Sequence, residues 1–243
     1  MFAGLCCLAL SPLYRKERPW ARSGNRLPFS PVMKMKEDLC AKLILFTRYP
    51  EPGRAKTRLI PVLGPEGAAD LQRRMTERLV AQLLLFAEEY PVATEIRYDG
   101  GTPELVVDWL GHDLPALPQG EGGLGERLER AAVAAFADGV ARLVFIGADC
   151  PALTPPLFAR AFAALLRHDL VLGPAADGGY YLIGLRCPWA GLFRDIPWGS
   201  GEVLAVTLGR ARGLGLSIHL LEQHADVDRP EDLRYFHHHP NLR

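Results

Sequence analysis

Residues 42–59 read KLILFTRYPEPGRAKTRL. LILF (43–46) is apolar at every position, the mark of a strand buried on both faces of a parallel sheet. The run ends in a loop braced by Pro50, Pro52 and Gly53 and carrying Arg48, Arg54, Lys56 and Arg58. In sheets of this kind ligands bind beyond the carboxyl ends of the strands, which is where this loop must lie. Loop amides and cations together form an anion cradle, with arginine gripping phosphate through two bonds and lysine acting as a point charge. The pattern GxxxxGK[ST] is absent, so this is no Walker loop. The competing explanation is a solvated basic surface loop, and composition alone does not separate the two.

From Ala41 onward, strand and helix patterns alternate. GPEGAADLQRRMTERLVAQLLLFAEE (64–89) places Ala68, Leu71, Met75, Leu79, Leu83 and Phe86 on one helical stripe. ATEIRYDG (93–100) is a strand, and TPELVVDWL (102–110) a helix with Thr102 as cap and proline at its first position. GLGERLERAAVAAFADG (123–139) is a helix stopped by Gly139, and ARLVFIGADCP (141–151) a buried strand running into a loop. TPPLFARAFAALLR (154–167) is a helix capped by Thr154, DLVLGPA (169–175) and GYYLIGL (179–185) are closely spaced strands, and SGEVLAVTLGRARGLG (200–215) is a helix. SIHLLE (217–222) is the last strand, before a short helix within 226–236. Strands separated by helices imply right-handed crossovers and a mostly parallel sheet, and the tight link between 169–175 and 179–185 makes one strand antiparallel. The expectation is a single Rossmann-like α/β/α sandwich over residues 39–243.

The first 38 residues differ. An apolar patch, FAGLCCLAL (2–10), precedes YRKERPWARSGNRLPFSP (14–31), which inverts the order of charge and apolar core found in a signal peptide. An Arg-rich transit peptide is one explanation; a disordered or misassigned start, with Met33 or Met35 as the natural beginning, is preferred. The chain carries 28 basic and 28 acidic residues, so broad electrostatic capture of nucleic acid or an anionic membrane is not expected and any anion site must be local. No apolar run approaches the roughly 18 residues that span a bilayer. Five cysteines, an odd number without CxxC spacing, point to a reducing, cytoplasmic setting rather than a disulfide framework. His237, His238 and His239 near the end form no HxxxH pair.

Five further loops follow strands or open helices. PQGEGGLGERL (118–128) is glycine-rich, permits close backbone approach and ends at a helix N-terminus, where an anion or base edge is favoured; Gln119, Gly120 and Gly125 are its candidates. FIGADCPALT (145–154) sets Asp149 at the end of a buried strand, suited to a hard divalent cation, with a helix-cap aspartate as the alternative. Cys150 beside it has no base partner and is a poor nucleophile. In GPAADGGYYLIGL (173–185), Asp177 either binds and deprotonates an acceptor hydroxyl or simply makes a hairpin turn with Gly178 and Gly179, and one of Tyr180 and Tyr181 lines the site while the other packs. In DIPWGSGEV (195–203), Trp198 is placed to stack on substrate, and Glu202 is either a general base or a charge facing the helix dipole. In ADVDRPEDL (225–233), Asp226 or Asp228 completes a metal site with Asp149 or caps a turn.

Taken in order, FTRYPEPGRAKTRL, QGEGGLGERL, IGADCPALT, GPAADGGYYLIGL, IPWGSGEV and DVDRPEDL resemble the GT-A, or nucleotide-diphospho-sugar transferase, superfamily. More narrowly they are similar to the transferase family associated with radical-SAM and selenium domains, also named arsenosugar biosynthesis glycosyltransferases. The resemblance covers residues 42–236. It implies a nucleotide at the carboxyl edge with Mg²⁺ or Mn²⁺, and nucleotide and phosphate contacts from Thr47, Arg48, Gly53, Lys56, Thr57 and Arg58. It also implies metal ligation by Asp149 and Asp228, and acceptor contacts around Gly178, Gly179, Tyr180 and Trp198. Two departures stand out: Asp149 sits in ADCP rather than a full Asp-x-Asp, and Gly199-Ser200-Gly201 replaces the family's usual residues after the tryptophan.

The leading expectation is a glycosyltransferase moving a sugar from a nucleotide-diphosphate sugar to a small acceptor, with Asp177 or Glu202 as base. The alternative is a nucleotidyltransferase joining an NTP to a phosphorylated small molecule with release of pyrophosphate. A non-catalytic nucleotide-binding subunit is the third. Partners would be the nucleotide and the acceptor, with a homodimer as one assembly option.

Overall fold

Four apolar positions in a row bury only if both faces of their strand are covered, and that is how β1 (Ala41–Arg48) is used. Leu43 and Leu45 face one apolar layer, with Leu83, Phe86 and Phe158. Ile44 and Phe46 face the other, with Leu128, Phe145 and Ala211. The computed structural model describes residues 41–237. The expectation for residues 1–38, and His238 and His239, lie outside them.

The sheet has seven strands in the order β3-β2-β1-β4-β6-β5-β7. They are β2 (Val92–Asp99), β3 (Ala116–Pro118), β4 (Arg142–Gly147), β5 (Leu170–Pro174), β6 (Tyr180–Leu185) and β7 (Ile218–Leu220). β6 runs antiparallel to both β4 and β5, and every other pairing is parallel. Its reversed direction brings its first residue, Tyr180, to the edge where the parallel strands end. β3 escapes sequence reading because it is only three residues long and ends in proline at the sheet edge.

Helices α1 (Ile60–Glu89) and α4 (Pro155–Ala164) pack on one face, and α3 (Leu124–Ala137) and α5 (Val203–Gly213) on the other. α1 is broken at Gly64 (φ 71°, ψ 168°), so its long segment begins at Pro65, and all six residues of the predicted stripe are buried. α2 (Pro103–Leu110) has Thr102 Oγ1 accepting the Leu105 N–H, as a capping threonine should. Thr154 departs from expectation: it occupies the cap position of α4, but its side chain makes no capping bond. A short α6 (Leu233–His237) ends the described chain. Among the described residues no helix is long and apolar enough to cross a membrane.

Gly125, expected at the nucleotide, lies instead in the first turn of α3, buried under the 193–198 loop. A Cβ there would collide with the Phe193 carbonyl and stand 2.9 Å from Trp198 Nε1. Its role is close packing, which holds Trp198 in place. Gly125→Ala should therefore destabilise the protein by about 1–3 kcal/mol through overpacking, although helix propensity alone would favour alanine by about 1 kcal/mol. Urea unfolding measures the sign; a stabilised variant would contradict the packing role.

Candidate active site

The loops after β1, β4, β5 and β7 converge at the carboxyl edge of the sheet. Lys56 is the junction. Its backbone is left-handed (φ 49°, ψ 43°), an uncommon state for a side chain of this kind. Its ammonium is buried and donates to Asp149 Oδ1 at 2.5 Å and to the Val227 carbonyl at 2.6 Å. Val227 N–H in turn donates to the Asp149 carbonyl at 2.9 Å, and the Val227 side chain is fully buried with Leu59, Leu71 and Met75. Three loops distant in sequence are thereby tied together around one ammonium. Two residues on, Arg58 reaches Asp228 at 2.6 Å.

Two adjoining lobes open around this junction. The larger, about 670 Å³, is lined by Arg48, Lys56, Thr57, Arg58, Asp99 and Arg127 among others. The smaller, about 320 Å³, holds Asp149, Asp177, Asp226 and Asp228 together with Phe46, Tyr180 and Trp198. Arg58, Asp149 and Asp228 line both. Each volume lies in the range of small-molecule pockets.

In the larger lobe, Asp99 at the end of β2 holds two guanidiniums: Arg48 Nη2 at 3.1 Å and Arg127 Nη1 at 3.0 Å. Arg127 was missed in the sequence. Its signal was a cation in the first turn of a helix, where the dipole disfavours positive charge unless an anion is to be bound. Lys56 is not a free phosphate cation in this arrangement, because protein oxygens occupy its ammonium; it positions Asp149. Gln119 also departs from the expected base contact. Its amide nitrogen donates to the Thr47 and Arg97 carbonyls at 2.9 and 3.1 Å, and its oxygen accepts from Arg127, so it clamps the ends of β1 and β2. Thr47 is buried in a hydroxyl network with Thr76 and Gln72 while lining the lobe. Gly53 serves an exposed turn outside the lining, and Gly120 lies against the Arg130 guanidinium; Gly122 and Gly123 take the lining positions.

In the smaller lobe, Asp177 Oδ1 accepts the Gly179 N–H at 2.8 Å, so the carboxylate both shapes its turn and faces the lobe. Gly178 (φ 89°) packs directly on the Gly201 backbone, and a side chain there would collide with it. Gly179, Tyr180 and Trp198 line the lobe, with the Tyr180 and Trp198 rings edge to face at 6.1 Å. Tyr181 lines it too and donates to the Glu222 carbonyl. Burial raises both phenol pKa values, which keeps them protonated. Glu202 is not brought here: it is exposed at the N-terminus of α5 and absent from the lining, because the 199–201 turn directs it outward. Cys150 is buried and its thiol is pushed up to about 12 by burial, which excludes a thiolate nucleophile at neutral pH.

Asp149, Asp177 and Asp226 offer hard oxygen donors around one lobe. Among the described residues no three acidic, His or Cys side chains form a ready-made metal cage. The donor set fits a divalent cation of the magnesium type, which takes one or two carboxylates and completes its shell with waters and substrate phosphate oxygens. Asp228 is occupied by Arg58, whereas Asp226 is pushed up to about 6, first by burial and then by the negative charge of Asp177, with a smaller contribution from Asp149. Ionising Asp226 in this lobe costs stability in the absence of a cation. Because the folded-state value is raised, the stability that Asp226 contributes is fully present below its ordinary range near pH 4 and is lost as pH rises through 6. Asp226→Asn should therefore stabilise the metal-free protein by about 1 kcal/mol at pH 7.5, discounted for its partial exposure, and by nothing at pH 4. Unfolding midpoints at the two pH values test this; an equal effect at both would contradict it.

A family model described as "uncharacterized protein conserved in bacteria" (DUF2064) matches residues 83–200. No curated protein matches the chain. A crystal structure from Desulfovibrio desulfuricans G20, described as a candidate nucleotide-diphospho-sugar transferase, superposes with a TM-score of 0.73 at 32% identity, covering 83% of this chain and 92% of that one. A nucleotidyl transferase from Methanothermobacter gives 0.52 at 16% identity, covering 84% and 99% of the two chains. A CMP-2-keto-3-deoxy-manno-octonic acid synthetase complexed with CTP gives 0.50 at 12%, covering 81% and 96%. The last two are alike in fold only. On the strength of the first match, the chain belongs to the nucleotide-diphospho-sugar transferase family represented by the Desulfovibrio protein.

Proposed function

We propose that the protein is a glycosyltransferase that moves a sugar from a nucleotide-diphosphate sugar to a hydroxyl of a small acceptor, using Mg²⁺ or Mn²⁺. The observation carrying this reading is a lobe lined by Arg48, Arg58 and Arg127 adjoining a lobe lined by four aspartates, with Asp149 in both linings. Arg48, Arg58 and Arg127 would grip the nucleotide diphosphate. Asp149, with Asp226, would hold the cation, while Asp228 stays with Arg58. When bound, the cation supplies Lewis-acid stabilisation to the leaving diphosphate. Asp177 would take the acceptor proton through the oxygen not needed by its turn. In the balanced step, the acceptor oxygen bonds to the anomeric carbon and that carbon's bond to the diphosphate oxygen breaks. The nucleoside diphosphate leaves with the electron pair, and the hydroxyl proton passes to Asp177. Catalysis is then mainly electrostatic and positional. The motif set further supports kinship with the radical-SAM- and selenium-associated transferases, and a cytoplasmic setting fits the free thiols of Cys150 and Cys187.

Nucleotidyl transfer is the second reading, favoured by the number of cations around the larger lobe, which would suit a triphosphate. Incubation with nucleotide sugars and with NTPs plus phosphorylated acceptors distinguishes them. The proposal expects nucleoside diphosphate release that requires a divalent cation; pyrophosphate release without it would overturn the proposal. Arg127→Met should weaken nucleoside diphosphate binding by about 10- to 100-fold, the worth of a charge-assisted bond, and an unchanged Kd by calorimetry would remove Arg127 from the phosphate site.

A further inference from the structure

The composition of the smaller lobe speaks to the acceptor. Its wall toward α3 and the 198–203 loop is apolar and aromatic: Phe46, Phe145, Tyr180 and Trp198, backed by Leu124 and Leu128. The Phe46 and Phe145 rings meet edge to face at 5.4 Å, and Tyr180 meets Trp198 in the same way. The same lining holds Asp149, Asp177, Asp226 and Asp228. Arg58 is the one cation among the described residues of this lining, and Asp228 already holds it at 2.6 Å. The cations Arg48 and Arg127 line the other lobe only.

We propose that the acceptor carries no negative charge and presents a flat apolar ring face beside its reactive hydroxyl, and that phosphorylated acceptors are rejected. The inference rests on the glycosyltransferase reading. A phosphate in the smaller lobe would meet several carboxylates and no unpaired cation from the lining. A divalent cation shared with the donor would be matched by the donor's own diphosphate, leaving nothing to neutralise a second phosphate. The lobe rejects it by uncompensated like charge, which is how sites discriminate against wrong partners. A ring face, in contrast, replaces water against the aromatic wall, while the carboxylates accept hydrogen bonds from its hydroxyls. The volume of about 320 Å³ suits a ring-sized group.

The test uses a matched pair of probes, phenyl β-glucopyranoside and its 6-phosphate. Both are titrated against the full chain saturated with nucleoside diphosphate and Mn²⁺, with binding followed by ligand-detected NMR. The neutral probe should bind at least tenfold more tightly than its phosphate. Trp198→Leu should weaken the neutral probe about tenfold and leave the nucleoside diphosphate Kd unchanged, which also verifies that the variant is folded. Binding of the phosphate as tight as or tighter than the neutral probe, or no binding of the neutral probe, overturns the inference while nucleotide binding stands. Failure of any nucleoside diphosphate to bind is a different result: it removes the glycosyltransferase reading, and this inference with it.

Discussion

The bond between Lys56 and Asp149 organises the whole carboxyl edge. A buried ammonium is costly unless paired and hydrogen-bonded, and Lys56 meets that condition only with both Asp149 and the Val227 carbonyl in place. The pairing fixes the loop after β1 against the loop after β4 and the segment following β7. It also directs Arg58 outward to Asp228, so that the basic residues of one loop and the acidic residues of two others interleave. The boundary between the two lobes is this interleaving, and their opposite character follows from which side charges remain on. Arg48 and Arg127 gather on Asp99, whereas Asp177 and Asp226 remain near each other without a cation of their own among the described residues.

Crowding carboxylates in a half-buried lobe is a poor way to stabilise a fold. Asp226 pays for its position with a raised pKa, and its carboxylate bonds only its own backbone among the groups that lower it. A carboxylate that is destabilised in the bare protein and faces a cleft, as Asp226 does, is a candidate functional group. The distant structures share only the fold, and the Desulfovibrio protein speaks for kinship.

The fold was legible because it rests on periodicity. LILF alternates between two cores, the stripe of α1 is buried, and the short link between β5 and β6 reverses β6. The site was legible only by loop. Asp149 and Asp177 come to the cleft because a residue just past the end of β4 or β5 has few other places to go, and Tyr180 joins them because antiparallel β6 starts at the same edge. The errors fall where function of a side chain depends on its partners from elsewhere in the chain. Gln119 is consumed by two carbonyls from β1 and β2, Gly125 by a loop nearly seventy residues on in sequence, and Glu202 by the turn that aims it at solvent. Asp226 and Asp228 sit two apart in one motif, and only the position of Arg58 separates their roles.

The central claim is that a nucleotide diphosphate and a divalent cation meet at Asp149. Calorimetric titration of nucleoside diphosphates, with and without Mn²⁺, into the wild-type protein and Asp149→Asn measures it directly. The account predicts binding that Mn²⁺ strengthens at least tenfold in the wild type, with that enhancement lost in Asp149→Asn. Binding indifferent to Mn²⁺, or an enhancement that survives the substitution, would contradict it.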